Sequence, residues 1–363
     1  MEQLATKYRP RKFEDIVSQD NVKIILKNQL ETGLFKQAYL FCGGAGTGKT
    51  TSARIFANEI NGGNAKPVEI DGASNNGVDN IRELIENCRM KAIDGSYKVY
   101  IIDEVHMLST GAFNALLKIL EEPPAKVIFI LCTTDPQKIP ATILSRVQRF
   151  NFTRIPNELI VNRLEYIIQQ ENEERVITNG GSRDALHDEH WAESEGIAQI
   201  FSEKAALNYI ASLAGGGMRD AITKLDTVLG YGDDITIDTV TKCLGITPQS
   251  IMLKLIEAIK TSNIAEGLKL VDELYMGGKD LKLFIKDFAV FVLDIIKLAT
   301  TGNSGPMSEP CIRKVQQVIN GTSNNFLLEL LEQLNILSAN IKYEQNPKFL
   351  VESEVLRLCN TEF

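Results

Sequence analysis

The six cysteines of this sequence (Cys42, Cys88, Cys132, Cys243, Cys311 and Cys359) are widely scattered, and no two form a C-x-x-C pair. That spacing argues against a zinc ribbon or a disulfide-dense secreted scaffold, and predicts a reduced, cytosolic protein without a zinc site. Long apolar runs are lacking too. No stretch approaches the roughly 20 residues needed to span a bilayer, so no membrane partner is expected. Residues 1–7 contain no apolar h-region, and no secretory signal is expected. Nor is there an excess of positive charge. The formal net charge of −8 argues against a chain that is basic throughout, yet leaves room for a local phosphate-binding patch. What is present is an ordinary globular composition, 44% hydrophobic and 24% charged, in a chain of 363 residues. That length suits two or three domains.

One stretch stands out. Gly43-Gly44-Ala45-Gly46-Thr47-Gly48-Lys49-Thr50 satisfies G-x-x-x-x-G-K-[ST] at every fixed position. Residues 38–42 before it read as a buried strand and residues 52–60 after it as a helix, the context that the motif requires. Glycines such as Gly43, Gly46 and Gly48 let backbone N–H groups converge, and the helix N-terminus adds partial positive charge. Around a nucleoside triphosphate, Lys49 would reach the β- and γ-phosphates and the Thr50 hydroxyl would ligate Mg²⁺. Thr47 and Thr51 complete the expected nucleotide-binding set.

Further along, a strand is expected over residues 67–71, a loop over 72–77 and a helix over 78–90. The apolar run from Tyr97 closes on Asp103 and Glu104. At the end of a parallel strand, Asp103 would hold Mg²⁺ through water and Glu104 would polarise an attacking water. Thr110 is expected to cap a helix that Pro123-Pro124 stops. A buried strand over 127–132 leads to Thr134, placed to sense a γ-phosphate from the same crevice. A short helix over 139–146 and a strand through Phe150 and Phe152 complete an alternation that predicts a doubly wound α/β domain.

Beyond Pro156 the strand signals fade and helices are expected, the first over residues 157–170. Residues 171–196 are acid-rich and read as a solvated insertion. Their His187 and His190 lack the further ligands of a metal site. Gly215-Gly216-Gly217 precede Arg219, which spacing leaves open as a phosphate-reaching residue or an ordinary surface arginine. After a boundary at Thr247-Pro248, helices over 251–259, 264–275, 281–298, 309–319, 326–342 and 347–358 carry no catalytic constellation. Their chemistry is packing.

Several of these stretches together resemble the γ/τ subunits of bacterial DNA polymerase III, the AAA+ ATPases of the sliding-clamp loader. They are Lys7-Tyr8-Arg9-Pro10, the phosphate loop, residues 99–108 and 113–124, Thr133-Thr134-Asp135-Pro136-Gln137-Lys138 through Ser145-Arg146, and Met218-Arg219-Asp220-Ala221. The resemblance covers nearly the whole chain, and its Asp-Glu-Val-His-Met-Leu and Thr-Thr-Asp-Pro-Gln-Lys stretches are specific within AAA+ proteins. It implies an AAA+ P-loop domain over 1–155, with a parallel sheet and helices on both faces. A helical lid over 156–246, with the acidic insertion at about 171–196, and an all-α collar over 247–363 would follow. By the same resemblance Tyr8, Arg9, Pro10, Ile16 and Val17 line the adenine pocket, Thr134 reads the γ-phosphate and Arg219 is a second sensor. Arg146 matches an arginine finger acting in trans on ATP held by a neighbouring subunit. ATP and Mg²⁺ are the implied cofactors. The implied partners are other clamp-loader subunits in a pentameric ring, a sliding clamp and primer–template DNA, in the cytoplasm. Two other readings stand beside this one: another AAA+ DNA motor, such as a helicase or remodeller, and a nucleotide-binding ring scaffold without turnover.

The sequence also departs from that family. Asn61-Gly62-Gly63-Asn64-Ala65-Lys66 stands where the family usually carries a four-cysteine zinc module, so no zinc is expected. Val147 follows Arg146 where the family has cysteine, which leaves the finger's charge intact. Asn75-Asn76-Gly77 replaces a loop that is often basic, leaving Arg82 and Thr142 as the candidates for DNA contact. The sequence ends after the collar, so no τ-type extension is expected. The missing zinc module and the acidic insertion suggest a divergent, phage-encoded relative.

Overall fold

Five short runs, three of them continuously apolar, build a parallel sheet. The computed structural model describes residues 2–63, 66–89, 97–178, 199–302, 307, 309–319 and 324–361. His187, His190 and most of the acid-rich stretch lie outside the described residues. Strands β1 (Ala38–Gly43), β2 (Val68–Asp71), β3 (Lys98–Asp103), β4 (Val127–Thr133) and β5 (Gln148–Phe152) lie in the order β2-β3-β4-β1-β5. Every neighbouring pair is parallel.

Helices α1 (Leu4–Lys7), α2 (Asp20–Thr32), α3 (Lys49–Ile60), α4 (Val78–Arg89), α5 (Thr110–Glu121) and α6 (Ala141–Leu144) accompany the strands. Successive strand side chains point to opposite faces. Tyr39 and Phe41 therefore pack with Ile101, Ile130 and Phe152 on one face, against Val22 and Leu26 of α2 and Phe56 of α3. Leu40 and Cys42 pack on the other with Tyr100, Phe129 and Leu131, against Ile81 of α4, Leu116 of α5 and Ile143 of α6. All seven residues of β4 are buried, as befits a parallel strand covered on both faces. This is the α/β sheet, with helices on both faces, that the sequence predicts.

Local differences have local causes. Helix α3 begins at Lys49 and not at residue 52, because the phosphate loop feeds straight into its first turn. Ser109, not Thr110, caps α5: its hydroxyl accepts from the Ala112 N–H at 3.2 Å, an interaction worth ~1 kcal/mol. Helix α7 (Asn157–Thr178) continues past residue 170. Val176 is buried, and Glu171 and Glu174 pair with Lys7. The start of the acid-rich stretch is thus packed helix and not solvated insertion. Strand structure also returns once, as a parallel pair of β6 (Phe201–Ser202) and β7 (Asp234–Ile235). Two-residue strands leave no periodicity to read.

The chain forms two compact units, residues 1–198 with 210–226 and residues 199–209 with 227–363. Helices α8 (Lys204–Leu213) and α9 (Met218–Leu229) contribute to both. The second unit also contains α10 (Ile237–Cys243), α11 (Gln249–Lys260), α12 (Ile264–Met276), α13 (Leu281–Thr301), α14 (Glu309–Ile319), α15 (Asn324–Asn340) and α16 (Pro347–Cys359). Its core forms around α13, whose Phe284 and Phe288 rings stack at 5.6 Å. Asp280 starts α13 by accepting from the Lys282 N–H at 2.8 Å, and Gly302 in the left-handed region ends it. Among the described residues no helix is long and apolar enough to cross a membrane.

Candidate nucleotide site

The glycine loop joins the end of β1 to the start of α3, at the C-terminal edge of the sheet. Gly43 tolerates no side chain: a Cβ there would lie 2.4 Å from the Phe152 carbonyl oxygen. Gly46 (φ +69°) and Gly48 (φ +98°) occupy the left-handed region that glycine enters without strain. Lys49 is only 5% exposed, and its ammonium donates to the carbonyls of Gly43 (2.9 Å) and Gly44 (2.8 Å). Burial pulls its pKa down, opposed by the charges of Glu104 and Asp103. A buried cation satisfied only by carbonyl dipoles, beside a helix N-terminus, favours a polyanion.

The carboxylates come from the end of β3, which β4 separates from β1 in the sheet. The Thr50 hydroxyl donates to Asp103 Oδ2 at 2.7 Å, and the Glu104 N–H donates to Asp103 Oδ1 at 3.0 Å. Bonds to a charged acceptor of this kind contribute ~1.5–3 kcal/mol each. A hydroxyl and a carboxylate meeting beside a phosphate loop are hard oxygen donors, the set that suits Mg²⁺. Thr134, just past β4, donates its hydroxyl to Glu104 Oε2 at 3.0 Å.

A cavity of about 530 Å³ collects most of the expected residues. Tyr8, Arg9, Pro10, Ile16 and Val17 form one wall. Residues of the loop from Gly46 to Thr51 form the floor, with Asp103 and Glu104 beside them, and Arg219 closes the far side. Arg219, which spacing left undecided, therefore faces the loop. Tyr8 is fixed from two directions: its hydroxyl donates to Glu171 at 2.8 Å, and Arg163 donates to its carbonyl at 3.0 Å. Burial and the bond to Glu171 push the Tyr8 hydroxyl's pKa up. Sequence reasoning missed Arg163, Ile155, Met218 and Asp220 on the lining, since the places of Arg163, Met218 and Asp220 depend on how α7 and α9 pack, and Ile155 lies in the link between β5 and α7. It also missed Gln19, whose buried amide donates to the Thr153 carbonyl at 2.8 Å and accepts the Thr153 N–H at 3.1 Å.

The helix that carries Arg219 is joined directly to the phosphate loop. The Met218 N–H donates to the Gly46 carbonyl at 2.9 Å. A Cβ on Gly217 would sit 3.0 Å from the Ala45 carbonyl oxygen and 3.3 Å from that of Ala214. Gly217→Ala is therefore expected to push α9 off the loop. Nucleotide affinity should fall about tenfold, equivalent to ~1.4 kcal/mol, in a fluorescent-nucleotide titration. An unchanged dissociation constant would show that this contact does not shape the site.

Five expected residues are not on the cavity lining: Gly43, Arg82, Thr134, Thr142 and Arg146. Thr134 meets the cavity only through its bond to Glu104. Arg146 donates to Glu121 Oε1 and to the Thr142 carbonyl, both at 2.7 Å. Arg82 pairs with Asp79 on the exposed face of α4, and Thr142 is exposed on α6. Gly43 contributes its carbonyl to Lys49 without lining the cavity.

A glycine loop between a central parallel strand and a helix, with Asp-Glu closing a strand two places away in the same sheet, defines a P-loop nucleotide-binding protein. A family model described as DNA polymerase III subunits gamma and tau domain III matches residues 235–362, and one described as DNA polymerase III, delta subunit matches residues 66–156. The DNA polymerase III subunit gamma of Buchnera aphidicola is 30% identical over 98% of this chain and 98% of its own length. The DNA polymerase III subunit tau of Bacillus subtilis is 36% identical over 98% of this chain. The chain belongs to the gamma/tau subunit family of DNA polymerase III, and its first part is an AAA+ P-loop domain. It spans 62% of the length of the Bacillus relative. Among solved structures, Thermotoga maritima RuvB aligns over 92% of this chain and 91% of its own, at 19% identity and a TM-score of 0.47.

Proposed function

We propose that this chain is an ATP-hydrolysing subunit of a sliding-clamp loader, which binds ATP to grip and open a clamp and releases it on primer–template DNA. The observation that carries the reading is the meeting of Thr50 with Asp103, and of Glu104 with Thr134, beside the phosphate loop, in a chain of the gamma/tau family. Tyr8, Arg9, Pro10, Ile16 and Val17 would bind the adenine. Lys49 leaves its carbonyl partners for the β- and γ-phosphates, while Thr47 and Thr51 bind within the cradle. Thr50 and Asp103 would hold Mg²⁺, Asp103 through water. That ion, when bound, supplies positive charge against the phosphates. Glu104 accepts a proton from the attacking water, Thr134 reads the γ-phosphate and Arg219 reports on it from the lid.

Arg146 acts in trans on a neighbouring subunit's nucleotide. Its ion pair with Glu121 leaves the two side chains 34% and 51% exposed. An exposed pair is worth ~0–1 kcal/mol, so the guanidinium swings free at little cost. We assign residues 1–155, 156–246 and 247–363 to nucleotide binding, lid and collar. The collar joins the chain to other loader subunits in a pentameric ring, in the cytoplasm, and Arg82 and Thr142 lie towards the DNA. The gamma and tau domain III match over 235–362 supports the collar assignment.

The test is steady-state ATPase of the protein, alone and assembled with its partner subunits, clamp and primed DNA. Strong stimulation by clamp and primed DNA together is expected. Stimulation by unprimed DNA alone would favour a translocating motor, and absence of turnover in every condition a scaffold.

A further inference from the structure

Beside the nucleotide site lies a polar side chain with no role in the reading above. His106 lies in the one-turn 3₁₀ helix Val105–Met107 that follows β3, and its side chain is only 10% exposed. Its Nδ1 is 3.3 Å from Glu104 Oε2 and 3.1 Å from Thr133 Oγ1. Thr133 is fully buried, and its hydroxyl oxygen also accepts the Asp135 N–H at 3.0 Å. Glu104 itself has a left-handed backbone (φ 45°, ψ 44°). A non-glycine residue enters that region at a cost of ~1–2 kcal/mol, and contacts around it must hold it there.

The Thr133 hydroxyl can donate to Nδ1 or accept from it, so the carboxylate is what favours one position of the ring hydrogen. An ionised carboxylate has lone pairs and no hydrogen to give. A bare Nδ1 lone pair at 3.3 Å from it would repel, whereas an Nδ1–H is attracted to both Glu104 and Thr133.

We propose that His106 is a positioning residue for Glu104: its Nδ1–H, with the Thr134 hydroxyl on the same carboxylate oxygen, holds the Glu104 carboxylate at the cavity. The second hydroxyl is the exchangeable part. When Thr134 turns to a γ-phosphate it gives up Glu104 Oε2, and the imidazole is the donor that stays. The base therefore keeps its place while its neighbour changes partner. This role rests on the hydrolase reading above, but the contact itself does not.

The test uses the whole chain in its assembly, with His106→Ala and His106→Asn. An asparagine amide N–H reaches about where Nδ1–H stands, so it restores the donor without the ring. His106→Ala is expected to lower kcat about 10- to 100-fold, the loss expected when a reacting group drifts by around an ångström. Nucleotide affinity should be unchanged. His106→Asn should recover most of the turnover. Equal losses in both variants, wild-type kcat in His106→Ala, or a loss confined to affinity would overturn the proposal.

A spectroscopic arm is independent of turnover. The sequence holds only three histidines, so in ¹⁵N-histidine-labelled protein the His106 resonances are those missing from His106→Asn. They should show hydrogen on Nδ1, and should shift in Glu104→Ala. Hydrogen on Nε2 instead would overturn the contact. A wild-type assembly that shows no turnover would remove the hydrolase reading, and the ring spectrum would still decide the contact.

Discussion

Lys49→Ala should weaken nucleotide binding by about 100-fold or more, equivalent to ~2.7 kcal/mol or more, and abolish turnover. The ammonium is the one side-chain cation of the phosphate loop. It is buried beside the carbonyls of Gly43 and Gly44, where a charge-assisted bond to phosphate is far less screened than in water. Alanine removes the charge but leaves the glycine turns, which are set by Gly46 and Gly48. The fold should therefore persist, with a melting temperature near that of the wild type without nucleotide. A fluorescent-nucleotide titration measures the first effect and phosphate release the second. Normal turnover would remove the phosphate-loop assignment.

Arg146→Ala should leave nucleotide affinity intact and lower the turnover of the assembled loader about 1,000-fold or more. Arg146 is absent from the lining of the cavity in its own chain. Its partners there are Glu121 at the end of α5, the Thr142 carbonyl in α6 and Ser145 just after it, all in exposed contacts. Losing an exposed ion pair costs ~1 kcal/mol at most, so folding should barely change. What is lost is a charge that would meet the transition state across an interface, where no water replaces it. The check compares the isolated chain with the assembly. A drop in affinity without a drop in assembled turnover would show the trans assignment to be wrong.

Much of the fold was legible because its signals are local. The buried strands are β-branched and aromatic runs long enough to read, and Pro123-Pro124 stops α5 within a residue or two of the expected place. The misreadings share a cause. Glu171 and Glu174 look solvated by composition, yet α7 continues because Lys7 and Tyr8 arrive from the far end of the chain to meet them. Ser109 and Thr110 are both good caps by residue type. The choice between them is made by which hydroxyl faces the Ala112 N–H.

The site divides in the same way. The loop from Gly43 to Thr50 and the Asp103-Glu104 pair are contiguous in the chain, so residue order alone determined their chemistry: glycine for the curl, lysine for phosphate, carboxylates at a strand end. Only the tertiary structure decided that Arg219 faces the cavity. It does so because Gly217 lets α9 approach close enough for the Met218 N–H to bond Gly46. Likewise, nothing in the run Asp103-Glu104-Val105-His106 tells which way the imidazole turns. A left-handed residue at Glu104 and a one-turn helix bring the ring back onto its own neighbour and onto Thr133 of the next strand. Contacts between residues distant in sequence depend on packing, and packing is a property of the folded chain as a whole.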